Sequence, residues 1–180
     1  PIVIDRNNVV LRGAGAATVL RLANGANAPV LVIGQTSAAP TVERRNIRVS
    51  DFTIDGNRTA QICECWNSCA CPAGSIRNNG ITVRRAADVI IERVTARNNQ
   101  SGGLVTEMGC RRLTVRDFTS TNNHFDGFAG YQTEDSVFSG LFLTGNLAAG
   151  ISLDIDFNHN ILSDVVIRNS GKVGIFIRDS

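Results

Sequence analysis

Glycines that open short apolar stretches recur at Gly80, Gly103, Gly127, Gly150 and Gly174, at intervals of 23, 24, 23 and 24 residues. A second column runs through Val89, Leu113, Val137 and Ile161, each 24 residues after the last. A third marks Asn98, Asn122 and Asn146 at the same spacing, with Asn169 one residue short of the next step. Columns that share one period describe a repeat in which each unit stacks on its neighbour, because a unit this short cannot bury its apolar side alone.

Each unit reads as three short strands. From Gly103 these are Leu104-Val105-Thr106-Glu107, Arg112-Leu113-Thr114-Val115-Arg116 and Phe118-Thr119-Ser120-Thr121, closing at Asn122-Asn123. Period-2 alternation, β-branched residues and Gly/Asn breaks all mark strand, and helical spacing is nowhere sustained. The N-terminal part repeats the pattern less regularly. Asp51-Phe52-Thr53-Ile54-Asp55-Gly56-Asn57 echoes Asp117–Asn123, and Asn8-Val9-Val10-Leu11 echoes Asn46-Ile47-Arg48-Val49. The expected fold is therefore all-β: a single-stranded parallel β-helix of 23–24 residues per rung, one domain over residues 1–180, with inserts at about 24–41 and 58–75. The asparagines are expected as a stacked corner ladder, since Asn tolerates a left-handed backbone and stacked amides bond from rung to rung. The expected inward columns are Ile81/Val83, Leu104/Thr106, Phe128/Gly130, Ile151/Leu153 and Ile175/Ile177. The chain opens at Pro1 without an initiator Met and stops inside an alternating segment, so it reads as part of a longer solenoid.

Composition narrows the function. The 43% hydrophobic and 19% charged residues support a packed core. No apolar run is long enough for a transmembrane helix, so no membrane insertion is expected. A net charge of +2 gives no ground for a nucleic-acid partner. Lys172 is the sole lysine among 18 basic residues. Arginine suits carboxylate and phosphate ligands, although a GC-rich coding sequence gives the same bias.

The repeat with its asparagine corners resembles the right-handed parallel β-helix of the pectin-lyase-like superfamily across nearly the whole chain. That superfamily includes polysaccharide lyases, glycoside hydrolases, uronan epimerases, tailspikes and adhesins, so the resemblance implies architecture more than activity. It also implies that a glycan would lie on the first sheet and its flanking loops.

On that sheet the fourth residue after each glycine points outward. Arg84, Glu107, Tyr131, Asp154 and Arg178 should form one vertical line, beside a track of smaller residues (Thr82, Val105, Ala129, Ser152, Phe176). Glu107 and Asp154 would be two rungs apart, roughly 9–10 Å between backbones, which suits acid–base hydrolysis with inversion. Tyr131 between Arg84 and Arg178 suits proton transfer beside a uronate carboxylate. The same alternation of charge also reads as cross-strand pairing with no ligand. Asp126, just before Gly127, is a further candidate for substrate binding, or an ordinary corner residue.

Asp154-Ile155-Asp156-Phe157-Asn158-His159-Asn160 is acidic enough to suggest Ca2+ bound through oxygen ligands. It also resembles the Asp-Pro-His motif of alginate epimerases, without the proline and with different spacing; Asp156 and His159 would be the pair. The paired Asp and Gly-His-Gly of polygalacturonases are absent, as are the arginine motifs of extracellular pectate lyases.

Cys63-Glu64-Cys65-Trp66-Asn67-Ser68-Cys69-Ala70-Cys71 places four of the five cysteines in one insert. Loop disulfides would imply an oxidising, secreted or cell-surface location; the alternative is a metal knuckle, for which the spacing is unusual. Cys110 reads as a buried free thiol or a partner for that loop. Trp66 would stack on a sugar or cover the loop's apolar top. Two functions follow: a secreted carbohydrate-active protein that binds a polysaccharide along the first sheet and cleaves or epimerises it, or a non-catalytic rod such as a tailspike, adhesin or surface-layer segment.

Overall fold

The computed structural model describes residues 1–62, 64 and 75–178. Their strands are β1 Ile2–Ile4, β2 Val9–Arg12, β3 Val19–Arg21, β4 Leu31–Ile33, β5 Arg44–Asp55, β6 Ile81–Arg84, β7 Ala86–Arg97, β8 Leu104–Glu107, β9 Cys110–Thr121, β10 Phe128–Glu134, β11 Val137–Thr144, β12 Ala149–Asn158, β13 Ile161–Arg168 and β14 Val173–Arg178. Every pairing among them is parallel. The chain is a right-handed parallel β-helix, the coil that the repeat predicts with the hand that the resemblance implies.

The first sheet is the ladder β1, β4, β6, β8, β10, β12, β14. The long strands β5, β7, β9, β11 and β13 each run along two sides of the coil. They bend at a residue with positive φ: Asp51, Arg93, Asp117, Gly140 and Asp164. For β9 the bend falls at Asp117, between the two strands read from the sequence. The coil encloses one apolar core that includes Phe52, Ile54, Ile91, Leu113, Phe118, Phe128, Phe138 and Ile151. Of the expected inward columns, the members from Ile81 to Ile151 are fully buried wherever they carry side chains, and Leu153 is 8% exposed. Ile175 and Ile177, in the last described strand, are 53% and 62% exposed.

Two local readings need correction, and a third feature was not read from the sequence at all. First, the buried amide ladder is Asn99, Asn123 and Asn146, not Asn98, Asn122 and Asn146. Asn99 Nδ2 donates to Asn123 Oδ1 at 2.7 Å, and Asn123 Nδ2 to Asn146 Oδ1 at 2.9 Å. Asn98, Asn122 and Asn169 hold the left-handed turn one position earlier, where Gly145 takes their place before Asn146. Second, β4 lies inside residues 24–41, read as an insert; Val30 stands directly before Leu31 where the later rungs have glycine. Third, Gly130 is small because Phe157 fills its space: a Cβ there would stand 2.4 Å from the Phe157 ring. Phe157 packs on Phe128 and Phe138 with ring centroids 6.1 and 5.7 Å away. It reaches them because β12 carries one extra residue against β10, the pairing passing from Tyr131↔Asp154 to Thr133↔Phe157. The slack is taken up by Ile155 and Asp156, both with positive φ.

Candidate functional site

The register places the outward line as the spacing predicts: Arg84 pairs with Glu107, Tyr131 with Asp154, and Asp154 with Arg178. Glu107, Tyr131, Asp154 and Arg178 share a groove of about 590 Å³ along the first sheet. Val105, Ser152 and Phe176 of the smaller track line it too. Thr82 and Ala129 are buried instead, at 0% and 3% exposed. The groove is walled by the corners that precede first-sheet strands, which supply Arg77, Phe125, Asp126 and Lys172. Arg77 pairs with Glu64 at 2.8 Å and lies over the Phe125 ring at 4.3 Å.

The outward line is not uniformly exposed. Arg84 was expected at its exposed end as a substrate contact, and the structure places it elsewhere: it is 1% exposed, beneath the loop at residues 34–43. Its Nη1 donates to Ser37 O at 2.9 Å and Gln35 O at 3.3 Å, and its Nε is 2.7 Å from Glu107 Oε1. The loop explains the burial, and nothing in the Arg84 segment itself signals it. Asp154 is also buried. Its Oδ2 accepts from Arg178 Nη2 at 2.5 Å and Nε at 3.1 Å. Among the described residues its Oδ1 is buried without a hydrogen-bond partner. Cross-strand charge pairing is thus present at both ends of the line, and Tyr131 stands unpaired by charge between the two ion pairs.

Burial sets the protonation of the central groups. It pushes the Glu107 carboxyl above the ordinary range, although the Arg84 charge pulls the other way. It does the same at Asp126, whose Oδ1 accepts from Ala149 N at 2.9 Å and so ties a corner. The Tyr131 phenol is raised by burial and then by the nearby Asp126 charge, which keeps it a proton donor. The groove therefore combines carboxylates more basic than usual with a protonated phenol.

Asp156 and His159 do not form a pair in this groove. The extra residue in β12 turns Asp156 to a neighbouring depression of about 840 Å³ that it shares with Asn158 and Glu134. His159 is exposed, 3.8 Å from Asp135. The oxygen ligands suggested for Ca2+ are thereby divided between two sides of a corner. Trp66 and the four cysteines of residues 63–71 lie outside the described residues.

The sequence reading missed Arg77, Phe125 and Lys172. Each stands two or three residues before a repeat glycine (Gly80, Gly127, Gly174), a position that the glycine column could have marked as overhanging the first sheet.

The family profile described as "Periplasmic copper-binding protein (NosD)" matches residues 6–180. The chain belongs to the NosD family. This NosD-family chain is also 32% identical over 136 residues to mannuronan C5-epimerase AlgE4 of Azotobacter vinelandii, an overlap of 74% of the chain and 23% of that protein. To AlgE5 of the same organism it is 28% identical over 96% of the chain and 17% of that protein. It spans less than a quarter of the length of these relatives. Among solved structures, the AlgE4 A-module superposes with a TM-score of 0.72 at 23% identity, over 94% of the chain and 44% of the module. The AlgE6 A-module gives 0.68 at 23% identity, over 94% and 43%. These likenesses show the fold.

The described residues of this NosD-family chain do not fit a copper centre. Among them no three His, Cys, Asp or Glu side chains converge on a point that could hold a metal ion. Cys110 is a buried free thiol whose Sγ lies 3.4 Å from Val83 O, and burial pushes its ionisation up to about 12.

Proposed function

We propose that the groove binds a uronate-containing polysaccharide and removes the proton beside the sugar carboxylate. The observation that carries this reading is Tyr131, a half-buried phenol paired in register with Asp154 and sharing with it and Glu107 one groove walled by Arg77 and Lys172. Its relatives act, by name, on mannuronan at C5. In this reading Glu107 is the base, since burial has raised its basicity toward that of a useful proton acceptor. Tyr131 O–H is the donor. Arg77, Lys172 and Arg178 balance the substrate carboxylate and the negative charge that builds beside it as the proton leaves. Asp154 holds the Arg178 guanidinium at the groove, and Phe125 and Phe176 supply apolar walls for the sugar rings. Asp126 shapes the corner. Return of a proton gives an epimer; loss of the neighbouring glycosidic oxygen gives an unsaturated end. The family's description as periplasmic and the cysteine-rich insert both support a location outside the cytoplasm.

The test is incubation of a polyuronate with the protein in D2O, followed by NMR. Wild type is expected to give solvent deuterium at C5 or unsaturated uronate ends. Tyr131→Phe and Glu107→Gln should each slow this by roughly 100-fold or more while still binding the polymer. New reducing ends with neither signal would instead favour hydrolysis by Glu107 and Asp154. Absence of any glycan binding would favour the rod.

A further inference from the structure

We propose that Arg84 is a positioning residue, which holds its charge against Glu107 from beneath the loop at residues 34–43. The inference rests on the reading of Glu107 as the base. Arg84 ends β6 and Glu107 ends β8, directly paired in register. The Arg84 side chain is 2% exposed and Glu107's is 25%. One guanidinium therefore spans two structures: Nε stands 2.7 Å from Glu107 Oε1 as an ion pair without hydrogen-bond alignment, and Nη1 donates to two loop carbonyls, Ser37 O and Gln35 O.

The loop is built to hold this contact. Gln35 Oε1 accepts from Thr41 N at 2.9 Å and Val42 N at 3.0 Å, which closes the loop on itself. Gly34 enters it with a φ of +113°, and a Cβ there would stand 2.0 Å from Arg84 O. The backbone thus presses directly on Arg84 where only glycine fits. Burying a guanidinium is costly, and a hydrophobic side chain of similar length would fill this place without that cost. What arginine adds is a planar group, tied to the loop carbonyls by hydrogen bonds, that fixes where its charge stands beside the carboxylate. It also adds a positive charge, which offsets part of the burial acting on Glu107.

The proposal is tested by 13C NMR titration of the Glu107 carboxyl in wild type, Arg84→Met and Arg84→Lys, together with the pH dependence of kcat/KM on the polyuronate. Arg84→Met should move the Glu107 midpoint, and the acidic limb of kcat/KM, upward by about one pH unit or more. Arg84→Lys should restore the midpoint and recover only part of kcat, because it keeps the charge and loses the planar group. Should Arg84→Met not fold, Arg84→Gln removes the charge and keeps an amide donor for the loop carbonyls. An unchanged Glu107 midpoint in a folded charge-free variant overturns the proposal, and so does a limb that stays in place while only thermal stability falls. The titration needs no turnover. A midpoint that shifts in a protein that exchanges no C5 proton would therefore sink the base assignment and with it the catalytic purpose of Arg84, whereas an active protein with an unmoved midpoint would sink the Arg84 proposal alone.

Discussion

Glu92 and Glu107 face different sheets of the same coil, and their surroundings act on them in opposite directions. Glu92 has a fully buried side chain, which alone would raise its ionisation, yet hydrogen bonds from Arg116, Arg48 and Arg93 hold it down at about 2. Glu107 has Arg84 beside it and Arg77 across the groove, and burial still prevails. The signs for stability follow. A carboxylate held below its ordinary value of 4.5, such as Glu92, stabilises the fold above that pH and loses the contribution as pH falls toward about 2. Glu107 and Asp126, raised by burial, act inversely: their ionisation weighs against the fold as pH rises through their folded range. Glu92→Gln is therefore expected to lower stability near neutrality by about 1–2 kcal/mol, less than for a fully buried pair because its arginines are nearly half exposed. It should also flatten the loss on acidification. Urea titrations at about pH 7 and about pH 3 check both; an equal acid loss in wild type and variant would contradict the cluster's role.

At the scale of elements, the extra residue in β12 is the feature on which the site turns. It brings Phe157 inward over Gly130, leaves Asp154 in the groove and sends Asp156 round the corner. Gly130→Ala should push the Phe157 ring from its stack and cost about 1–3 kcal/mol by urea denaturation; an unchanged midpoint would mean that the ring shifts freely. This is also where the sequence was least legible. The glycine columns revealed the rungs and the outward line, because period and alternation are local and survive translation from rung to rung. They did not reveal the bulge, whose cause is a ring filling a neighbouring rung's space. For the same reason Asp156 and His159 looked like a pair in sequence and are not one in space. Arg84 was misread because a loop whose contacts lie 47 and 49 residues earlier covers it, and the asparagine ladder was read one position early because Gly145 replaces the turn asparagine there.

At the scale of the whole molecule, the groove belongs to no single rung. Arg77 precedes β6, Glu107 closes β8, Phe125, Asp126 and Tyr131 flank or enter β10, Ser152 and Asp154 lie in β12, and Lys172, Phe176 and Arg178 belong to the last turn. Stacking at about 4.8 Å per rung turns residues distant in sequence into a continuous surface as long as a short oligosaccharide. The most direct measurement is a titration of the isotope-labelled protein with a uronate oligosaccharide, followed by amide NMR. The account predicts shifts concentrated at Val105, Phe125, Tyr131, Ser152 and Phe176, with the sheet that carries Arg48, Glu92 and Arg116 unaffected. Shifts gathered on that other sheet, or none along the groove at millimolar oligosaccharide, would contradict it.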